Sequence, residues 1–426
     1  MTERNDTQRT EALRLYAASL SVKLLLMAAL ILPAYADWAA RFGRPGNDDT
    51  EFFLIAQRMA SHHMLAFPEG DPPRPQAYRT PLYPAFLAGI GILARWQPLA
   101  MLLIHASVLS FIPVLLRGLL RRAGWGPGFA WWLVVDPLTN LLSISFMSEG
   151  LLVLVTLAAL NLWVRSEALG PRFGSLLLFG ASILIRPTMQ FFLPILLIYT
   201  LAVYRRRLWT VVFGAVGALP IALWMFRNLA VTGTFCISTQ SDNMILAVGT
   251  IEAKKAGVPD ANVRGYLSED WEKRHGTVLN DLIMDNKFDF AEETKAYLRA
   301  HPVDFVHYHV LGMFRVLFGT SREHFRQVFP AARRFLDRHR PVYDAAMVGW
   351  YGAFYIACLF GFRWRSLRLP LVQISVLAVL YNLAIVGVLA YATGGGLKRM
   401  PFLMFLVMIM AAGASSRARR PEGSPA

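Results

Sequence analysis

The sequence predicts an all-α protein that crosses a membrane several times, and three observations support that prediction. Of the 426 residues, 55% are hydrophobic. Only 17% are charged, whereas charged residues make up about 25% of a typical soluble domain. Long apolar runs bounded by charges recur along the chain, and several are long enough to cross a bilayer as helices. The two cysteines, Cys236 and Cys358, lie far apart and indicate neither a disulfide framework nor a zinc site.

About ten apolar segments are predicted to span the membrane, and an even number places both termini on the same side. Several are shorter than a perpendicular span requires, so we expect some to be broken or to line a cavity as half-helices. A further apolar segment, Pro81–Trp96, has only 16 residues and is predicted to be a re-entrant or surface-lying helix, or the outer extension of the next span. The predicted spans are Leu13–Tyr35, Leu99–Leu120, Phe129–Met147, Leu151–Val164, Gly174–Ile185, Thr188–Tyr204, Trp209–Phe226, Ala345–Gly361, Leu369–Tyr391 and Met400–Ala414.

Basic residues cluster after every second span, which predicts the orientation of the chain. Cytoplasmic loops of membrane proteins carry excess Lys and Arg, so we expect these clusters and both termini to be cytoplasmic, in an inner (plasma) membrane. The net charge of +15 comes largely from these loops and indicates anionic lipid headgroups rather than nucleic acid as a partner. The clusters are Arg4/Arg9/Arg14, Arg117/Arg121/Arg122, Arg165/Arg172, Arg205/Arg206/Arg207, Arg363/Arg365/Arg368 and Arg417/Arg419/Arg420.

This orientation divides the chain into four regions. Residues 1–227 form a transmembrane module that includes a first outer loop at 37–83. Residues 228–343 form a second outer region, and residues 344–414 form the C-terminal membrane helices. The tail, 415–426, is predicted to be disordered and cytoplasmic. Both outer regions contain helical spacing with an apolar face, at the segment that follows Asp48 and again within Asp289–Phe318, which predicts amphipathic helices at the outer membrane surface.

Three of the acidic residues that fall on the outer side by this orientation are candidates for catalysis. Asp48 and Asp49 open the first outer helix, where Asp48 could act as the helix N-cap with Glu51 three residues on, or as a catalytic carboxylate. Glu149 lies between two apolar runs, where a charge is costly to leave in lipid. It is either a turn residue exposed to water or a second carboxylate. Two carboxylates could share a divalent cation, or divide the roles of base and orienting group.

Four arginines are predicted on the same side: Arg79, Arg186, Arg227 and Arg399. Each one alone could anchor a helix end at the interface. The positive-inside bias disfavours all four together there, so a bound anion is the simpler explanation. Pro187, which follows Arg186, also predicts a break in the apolar stretch from Leu176 to Tyr204. Asp136, inside the third predicted span, is expected to be hydrogen-bonded within the bundle, and a proton relay is the alternative.

In order along the chain, these motifs resemble the GT-C class of integral-membrane glycosyltransferases, and family 39 in particular, the protein mannosyltransferase and aminoarabinose transferase relatives. The resemblance covers about residues 12–250 and weakens after that. It implies a GT-C-like helical bundle, a sugar donor linked to polyprenyl phosphate and an outward active site. It also implies that Asp48 is the acidic residue of the first outer loop, with Asp49 ambiguous by one position, and that Glu149 is a second acidic residue. The motifs are Asp48-x-x-x-Phe52-x-x-x-Ala56, Tyr78-Arg79-Thr80-Pro81-x-Tyr83-Pro84, Glu149, Arg186-Pro187 and Trp224-x-x-Arg227-Asn228 with Gly233.

The leading hypothesis is therefore a membrane glycosyltransferase that passes a sugar, with inversion, to a hydroxyl on a glycan, lipid or protein. Asp48 or Asp49 would act with Glu149, the four arginines would bind the donor phosphate, and Tyr78, Tyr83 and Asn228 would line the substrate site. The sequence indicates no cofactor with certainty, and a divalent cation between Asp48 and Glu149 is left open. Two alternatives are a polysaccharide polymerase or ligase with a diphosphate-linked donor, and a lipid or solute transporter. A transporter would place polar residues along a path, for which the candidates are Asp136, Asn140, Arg186 and Asn382.

Overall fold

The computed structural model describes residues 2–44, 47–67, 72–165, 169–203, 207–238, 255, 257, 291–392 and 400–418. Regular structure in this part of the chain is helical, apart from an isolated bridge between Ala66 and Pro75. We number its α-helices in chain order. They are α1 Thr2–Leu30, α2 Tyr35–Ala40, α3 Asp48–His62, α4 Leu82–Leu93, α5 Pro98–Leu109, α6 Ile112–Arg122, α7 Trp131–Val135, α8 Pro137–Ser143, α9 Ser148–Arg165, α10 Leu169–Ile185, α11 Phe192–Val203, α12 Arg207–Thr232, α13 Ala291–Ala300, α14 Pro302–Phe318, α15 Arg322–Val328, α16 Pro330–Arg338, α17 Arg340–Gly361, α18 Pro370–Ala392 and α19 Met400–Ala418.

Among the described residues, five helical segments are long and apolar enough to cross a membrane: Asp6–Gly43, Pro98–Arg122, Ser148–Arg165, Gly214–Thr232 and Arg340–Gly361. Five further apolar helices are shorter: Leu82–Leu93, Gly170–Ile185, Pro187–Tyr199, Pro370–Ile385 and Met400–Ser415. These helices confirm the all-α class and fit a multi-pass membrane protein. The predicted number of ten spans is not confirmed, because only half of these segments have the length and composition of a full crossing.

The third predicted span, Phe129–Met147, is not one helix, so that prediction is wrong in detail. Helix α7 ends at Val135, Asp136 has extended backbone, and α8 begins at Pro137. The side chain of Asp136 caps α8, because its Oδ2 accepts a hydrogen bond from the Thr139 amide at 2.7 Å. Its Oδ1 accepts another from the Tyr351 hydroxyl at 3.0 Å. Asp136 therefore has the hydrogen-bonded role in the bundle that was expected of it.

Two other chain breaks also have a clear origin in the sequence. Helix α10 ends at Ile185 and α11 begins at Phe192, so the break at Pro187 is confirmed. In the second outer region, Pro302 separates α13 from α14, where the sequence predicted continuous helical spacing.

Helix α4 has 12 residues, which makes it about 18 Å long and too short for a hydrocarbon layer of about 30 Å. That length agrees with a re-entrant or surface-lying helix.

Two ends of the molecule carry different charges, and α9 connects them. Glu149 lies in its first turn and Arg165 in its last, 16 positions apart, or about 24 Å along the helix axis. We call the end near Arg165 the basic pole, defined by Arg117, Arg121, Arg122, Arg165, Arg363, Arg365 and Arg368. Contacts join its loops: Arg122 Nη1 donates to Asn161 Oδ1 at 2.5 Å, and the Gly126 amide donates to Ser415 Oγ at 3.0 Å. We call the end near Glu149 the site pole, defined by Arg41, Asp48, Asp49, Glu51, Arg79, Glu149 and Arg186.

Small residues let the apolar helices pack closely between the poles. A Cβ atom at Gly180 of α10 would collide with the carbonyl oxygen of Gly217 in α12. One at Gly217 would lie 2.9 Å from the Leu176 carbonyl oxygen. Glycine at both positions therefore allows the two backbones to touch. Helix association in lipid depends on such close packing, since burial of apolar surface contributes little there.

Candidate functional site

The first turn of α3 presents the two adjacent aspartates. The helix is capped by Asn47, not by Asp48 as expected, because the Asn47 amide donates to Thr50 Oγ1 at 3.2 Å. Asp48 and Asp49 therefore occupy the first helical positions, where the helix dipole stabilises negative charge. The opposite face of the helix buries Phe52, Phe53, Ile55 and Ala56, which confirms the predicted amphipathic character.

Asp49 is fixed in the interior by an arginine that the sequence interpretation missed. Arg41 Nη2 lies 2.9 Å from Oδ1 and 2.7 Å from Oδ2 of Asp49, and the Thr50 amide donates to Oδ1 at 3.0 Å. The Asp49 side chain is only 1% exposed. Burial raises the pKa of this carboxyl, while Arg41 opposes that shift by stabilising the ionised form. Asp49 is thus a buried anchor for the start of α3.

Asp48 lies beside it and is far more accessible. Arg79 Nη2 contacts Asp48 Oδ1 at 2.7 Å and Glu51 Oε2 at 2.6 Å, and the Asp48 side chain is 44% exposed. Burial opposes the charge of Arg79, but Asp48 and Glu51 raise its pKa well above the ordinary value, so it stays cationic. The two aspartates therefore differ in exposure: the carboxylate of Asp48 is open to solvent, and that of Asp49 is not.

Arg79 is itself held rigidly. Its guanidinium carbon lies 4.9 Å from the ring centroids of both Phe52 and Tyr78. The backbone amide of Arg79 donates to Gln76 Oε1 at 3.0 Å. Its Nε atom is buried and has no hydrogen-bond partner among the described residues. Arg79 therefore has one strong donor left for a group that the described residues do not supply.

A second carboxylate–arginine pair lies next to this segment. Glu149 is buried and forms an ion pair with Arg186, which also donates to Ser148 Oγ at 3.2 Å. Oε2 of Glu149 has no hydrogen-bond partner in the described part of the structure. The Thr80 hydroxyl donates to the Ile185 carbonyl at 3.0 Å, so the residues adjacent to Arg79 and Arg186 are in direct contact.

Two of the acidic residues, Asp49 and Glu149, lie near the side chain of Tyr83. The charges of Glu149 and Asp49 both act on its phenol, which lies under α3 with its ring 4.8 Å from the Phe52 ring. The hydroxyl of Tyr83 is 3.3 Å from His105 Nε2, and Tyr83 is completely buried. The structure thus brings Asp48, Asp49, Glu149, Arg79 and Arg186 into one region of the molecule. It places Tyr83 beneath them as support.

The second outer region supplies His324, which the sequence interpretation also missed. Helix α15 docks on the site because Arg41 Nη1 donates to the Val328 carbonyl, 287 positions away. The charges of Asp49, Asp48 and Glu149 all act on His324. Burial lowers the pKa of its imidazole, and these carboxylates oppose the shift. Its Nε2 is buried without a hydrogen-bond partner in the described chain. No sequence motif marks this histidine.

Arg227 and Asn228 hold the first outer loop in place. Arg227 Nη1 donates to the Gln76 carbonyl at 2.6 Å and to Asn228 Oδ1 at 3.0 Å. Asn228 Nδ2 donates to the Cys236 carbonyl at 2.9 Å, and Asn228 is buried. The bond from Arg227 to Gln76 goes to the backbone of the loop that carries Arg79, while Asn228 holds the chain that follows its own helix. Their predicted contact with phosphate and substrate stays a prediction, and Arg399 lies outside the described residues.

Arginines supply the positive charge next to the three candidate catalytic carboxylates. Asp48 faces Arg79, Asp49 faces Arg41 and Glu149 faces Arg186. Across the described ranges, no group of three or more His, Cys, Asp or Glu side chains is placed to hold a metal ion. The cation between Asp48 and Glu149 that the sequence left open gains no support from this arrangement.

The polar candidates for a transport path make local hydrogen bonds instead. Asn140 Nδ2 donates to the carbonyls of Val134 and Asp136, at 2.8 and 3.0 Å. Asn382 Nδ2 donates to the Ala378 carbonyl at 2.8 Å, within its own helix. These donations go to nearby backbone, so the amide nitrogens of both residues have a local structural role. The transporter alternative stays a prediction.

No family model matches the chain, and neither a curated protein nor a solved structure does. The likeness of its motifs to a glycosyltransferase family is therefore a proposal, and the geometry of the site pole carries the functional argument.

Proposed function

We propose that this protein is a membrane glycosyltransferase of the GT-C type. It takes a sugar from a polyprenyl monophosphate donor and transfers it, with inversion, to a hydroxyl of a glycan, lipid or protein acceptor. The reaction takes place at the site pole, on the outer face of the inner membrane. The donor tail lies in the bilayer and its phosphate lies at the interface.

One observation carries the proposal: an accessible carboxylate, Asp48, is fixed by a buried arginine that has a spare donor. Arg79 holds Asp48 and Glu51 with Nη2, while its Nε–H has no protein acceptor in the described structure. A phosphate oxygen is a strong acceptor for a guanidinium donor. A phosphate on that nitrogen would lie next to the carboxylate of Asp48, which is the arrangement that transfer from a phosphate leaving group requires.

The reaction follows from these positions. Asp48 orients or deprotonates the acceptor hydroxyl, whose oxygen forms a bond to the anomeric carbon of the sugar. The bond from that carbon to the phosphate oxygen breaks on the opposite face, so the configuration inverts. The electron pair leaves on the polyprenyl phosphate, whose charge Arg79 stabilises. Glu149, buried beside Arg186, forms the acidic wall of the site, with Oε2 as an acceptor for a sugar hydroxyl.

The membrane topology forms part of the proposal. The five longer and five shorter apolar helical segments would provide nine of the predicted ten crossings, because α4, one of the shorter segments, would lie at the surface. The interrupted stretch from 127 to 147 would provide the tenth crossing. The basic pole would face the cytoplasm, as the excess of arginine in its loops predicts. The site pole would then lie outside, next to the regions 37–83 and 228–343.

Transfer in proteoliposomes tests the proposal. The purified protein is supplied with a radiolabelled hexose or pentose on polyprenyl monophosphate, with a detergent-solubilised cell-envelope extract as acceptor. We expect label to appear in the acceptor fraction. The variant Asp48→Asn should reach the membrane at normal levels and lose about 100-fold or more of this rate. Transfer from the matching diphosphate donor alone would support the ligase alternative. Normal rates in both Asp48→Asn and Asp49→Asn would disprove the catalytic role.

A further inference from the structure

Three buried polar atoms around the site pole have neither a hydrogen bond nor an ion pair in the described chain: Arg79 Nε, Glu149 Oε2 and His324 Nε2. Most buried polar atoms in folded proteins are hydrogen-bonded, and each exception calls for an explanation. The three atoms come from distant parts of the sequence and belong to residues that share one electrostatic environment. They are a donor, an acceptor and an imidazole nitrogen that can take either role.

His324 differs from the carboxylates of this site because, among the described residues, it forms no ion pair with an arginine. Asp49, Asp48 and Glu149 each contact an arginine, at Arg41, Arg79 and Arg186 respectively. A nearby cation stabilises the ionised carboxylate and makes it a weaker base. His324 is held among these carboxylates by α15, whose Val328 carbonyl binds the same Arg41 that holds Asp49.

We propose that His324 is the proton acceptor of the transfer reaction and that Asp48 orients the acceptor hydroxyl; this inference depends on the proposed function. The hydroxyl proton moves to Nε2 of His324 while the hydroxyl oxygen bonds to the anomeric carbon. The bond between that carbon and the phosphate oxygen breaks, and its electron pair leaves on the polyprenyl phosphate. The imidazolium then releases its proton to water.

The imidazole of His324 is chemically better suited to accept the proton than the carboxylate of Asp48. A general base is most effective when its pKa lies near the working pH, and imidazole meets that condition better than an arginine-bound carboxylate does. Burial keeps the imidazole of His324 neutral, and the surrounding carboxylates of Asp48, Asp49 and Glu149 stabilise the imidazolium that forms during transfer. Arg41 opposes them, since it repels a protonated His324.

The test compares His324→Gln with His339→Gln, because His339 is an exposed histidine at the end of α16 in the same region. Transfer from the polyprenyl monophosphate donor is measured from pH 5 to 8. For wild type we expect the rate to fall on the acid side as His324 becomes protonated. His324→Gln should lose about 100-fold or more in kcat with little change in the donor KM. Its rate should also no longer fall on the acid side of the pH profile, the part that we call the acid limb. His339→Gln should match wild type, and Asp48→Asn should keep the acid limb at a reduced rate.

A second variant separates chemistry from folding. His324→Ala leaves space for a free imidazole, so added imidazole should restore part of its activity and should leave His339→Ala unchanged. An acid limb that persists in His324→Gln, together with a rate within threefold of wild type, would overturn the assignment and leave the proposed function intact. Failure of imidazole to restore any activity to folded His324→Ala would also count against it. Absence of transfer by the wild-type protein would instead remove the proposed function, and the assignment with it.

Discussion

The two poles of this molecule both carry arginine, but they use it differently. At the site pole, Arg41, Arg79 and Arg186 each contact a carboxylate and are largely buried. At the basic pole, Arg363, Arg365 and Arg368 are exposed on the connection between α17 and α18. The comparison shows that the number of charges at a membrane surface says little about their role. Burial and fixed partners separate a built site from a loop whose charges orient the chain.

The arginines of the two poles should also differ in how much they contribute to the free energy of unfolding. A buried ion pair makes the protein depend on both partners, because removal of one leaves an uncompensated charge in the interior. An exposed arginine can be replaced at little cost, since water solvates it in either case. The site pole should therefore be sensitive to substitution in both stability and activity. The exposed arginines of the basic pole, Arg363, Arg365 and Arg368, should be sensitive only through the orientation of the chain.

The largest stability effect is expected at Glu149. Replacement by Gln leaves Arg186 without its counter-charge in a buried position, which should lower the free energy of unfolding by about 3–5 kcal/mol. Unfolding of the purified protein in a mild detergent measures this change. The double variant Glu149→Gln/Arg186→Met should lose less than the two single variants together. Arg365→Gln at the basic pole is the control and should lie within about 0.5 kcal/mol of wild type. Equal losses in the free energy of unfolding at Glu149 and Arg365 would contradict the proposed difference between the poles.

A smaller effect is expected from Arg79→Lys, because lysine keeps the charge and loses the planar group. Arg79 stacks between Phe52 and Tyr78 and reaches two carboxylates with one nitrogen. An ammonium group cannot reproduce this arrangement or offer the Nε donor. We expect a loss of stability of about 1–3 kcal/mol and a raised KM for the monophosphate donor. Arg44→Lys, on an exposed arginine of the same loop, should leave both unchanged. A donor KM unaltered in Arg79→Lys would remove Arg79 from the phosphate site.

The smallest effect is a pH dependence of stability from His324. Burial lowers the folded-state pKa of His324 below its ordinary value of 6.5, so the unfolded chain binds the proton more readily. The stability from this residue is therefore present above pH 6.5 and is lost as the pH falls below it. Unfolding measured from pH 5 to 8 should show this loss in wild type. His324→Gln should reduce it, while His339→Gln should not. An identical pH dependence in all three proteins would show that His324 is not shielded in the folded state.

Much of this architecture could be predicted from the sequence, because helices and their breaks are indicated by patterns of neighbouring residues. Long apolar runs predict helices, and Pro187 predicts the break after Arg186. The sequence also proposed a common site for Asp48, Glu149 and Arg79, because the positive-inside bias predicts which loops share a side of the membrane even when they lie far apart along the chain. Local signals also produced errors. The apolar run around Asp136 was taken as one helix, although an aspartate followed by proline caps a new one.

The remaining features could not be predicted, because they depend on contacts between distant residues. Arg41 binds Asp49 on one side and Val328 on the other, and nothing around Arg41 in the sequence marks it. His324 reaches the site only because α15 packs there. The difference in exposure between Asp48 and Asp49 is likewise a property of the folded chain. Spacing alone left those two residues equivalent.

Cysteine labelling from each side of the membrane tests the separation of the two poles most directly. Cys236 and Cys358 are replaced, and single cysteines are introduced at His63, beside the end of α3, and at Trp364, on the exposed connection at the basic pole. A membrane-impermeant maleimide is added to intact cells whose outer barrier is permeable to the reagent. The account predicts that the cysteine at position 63 reacts at once, and that the one at position 364 reacts only after the inner membrane is opened. Reaction of both positions from the same side would contradict it.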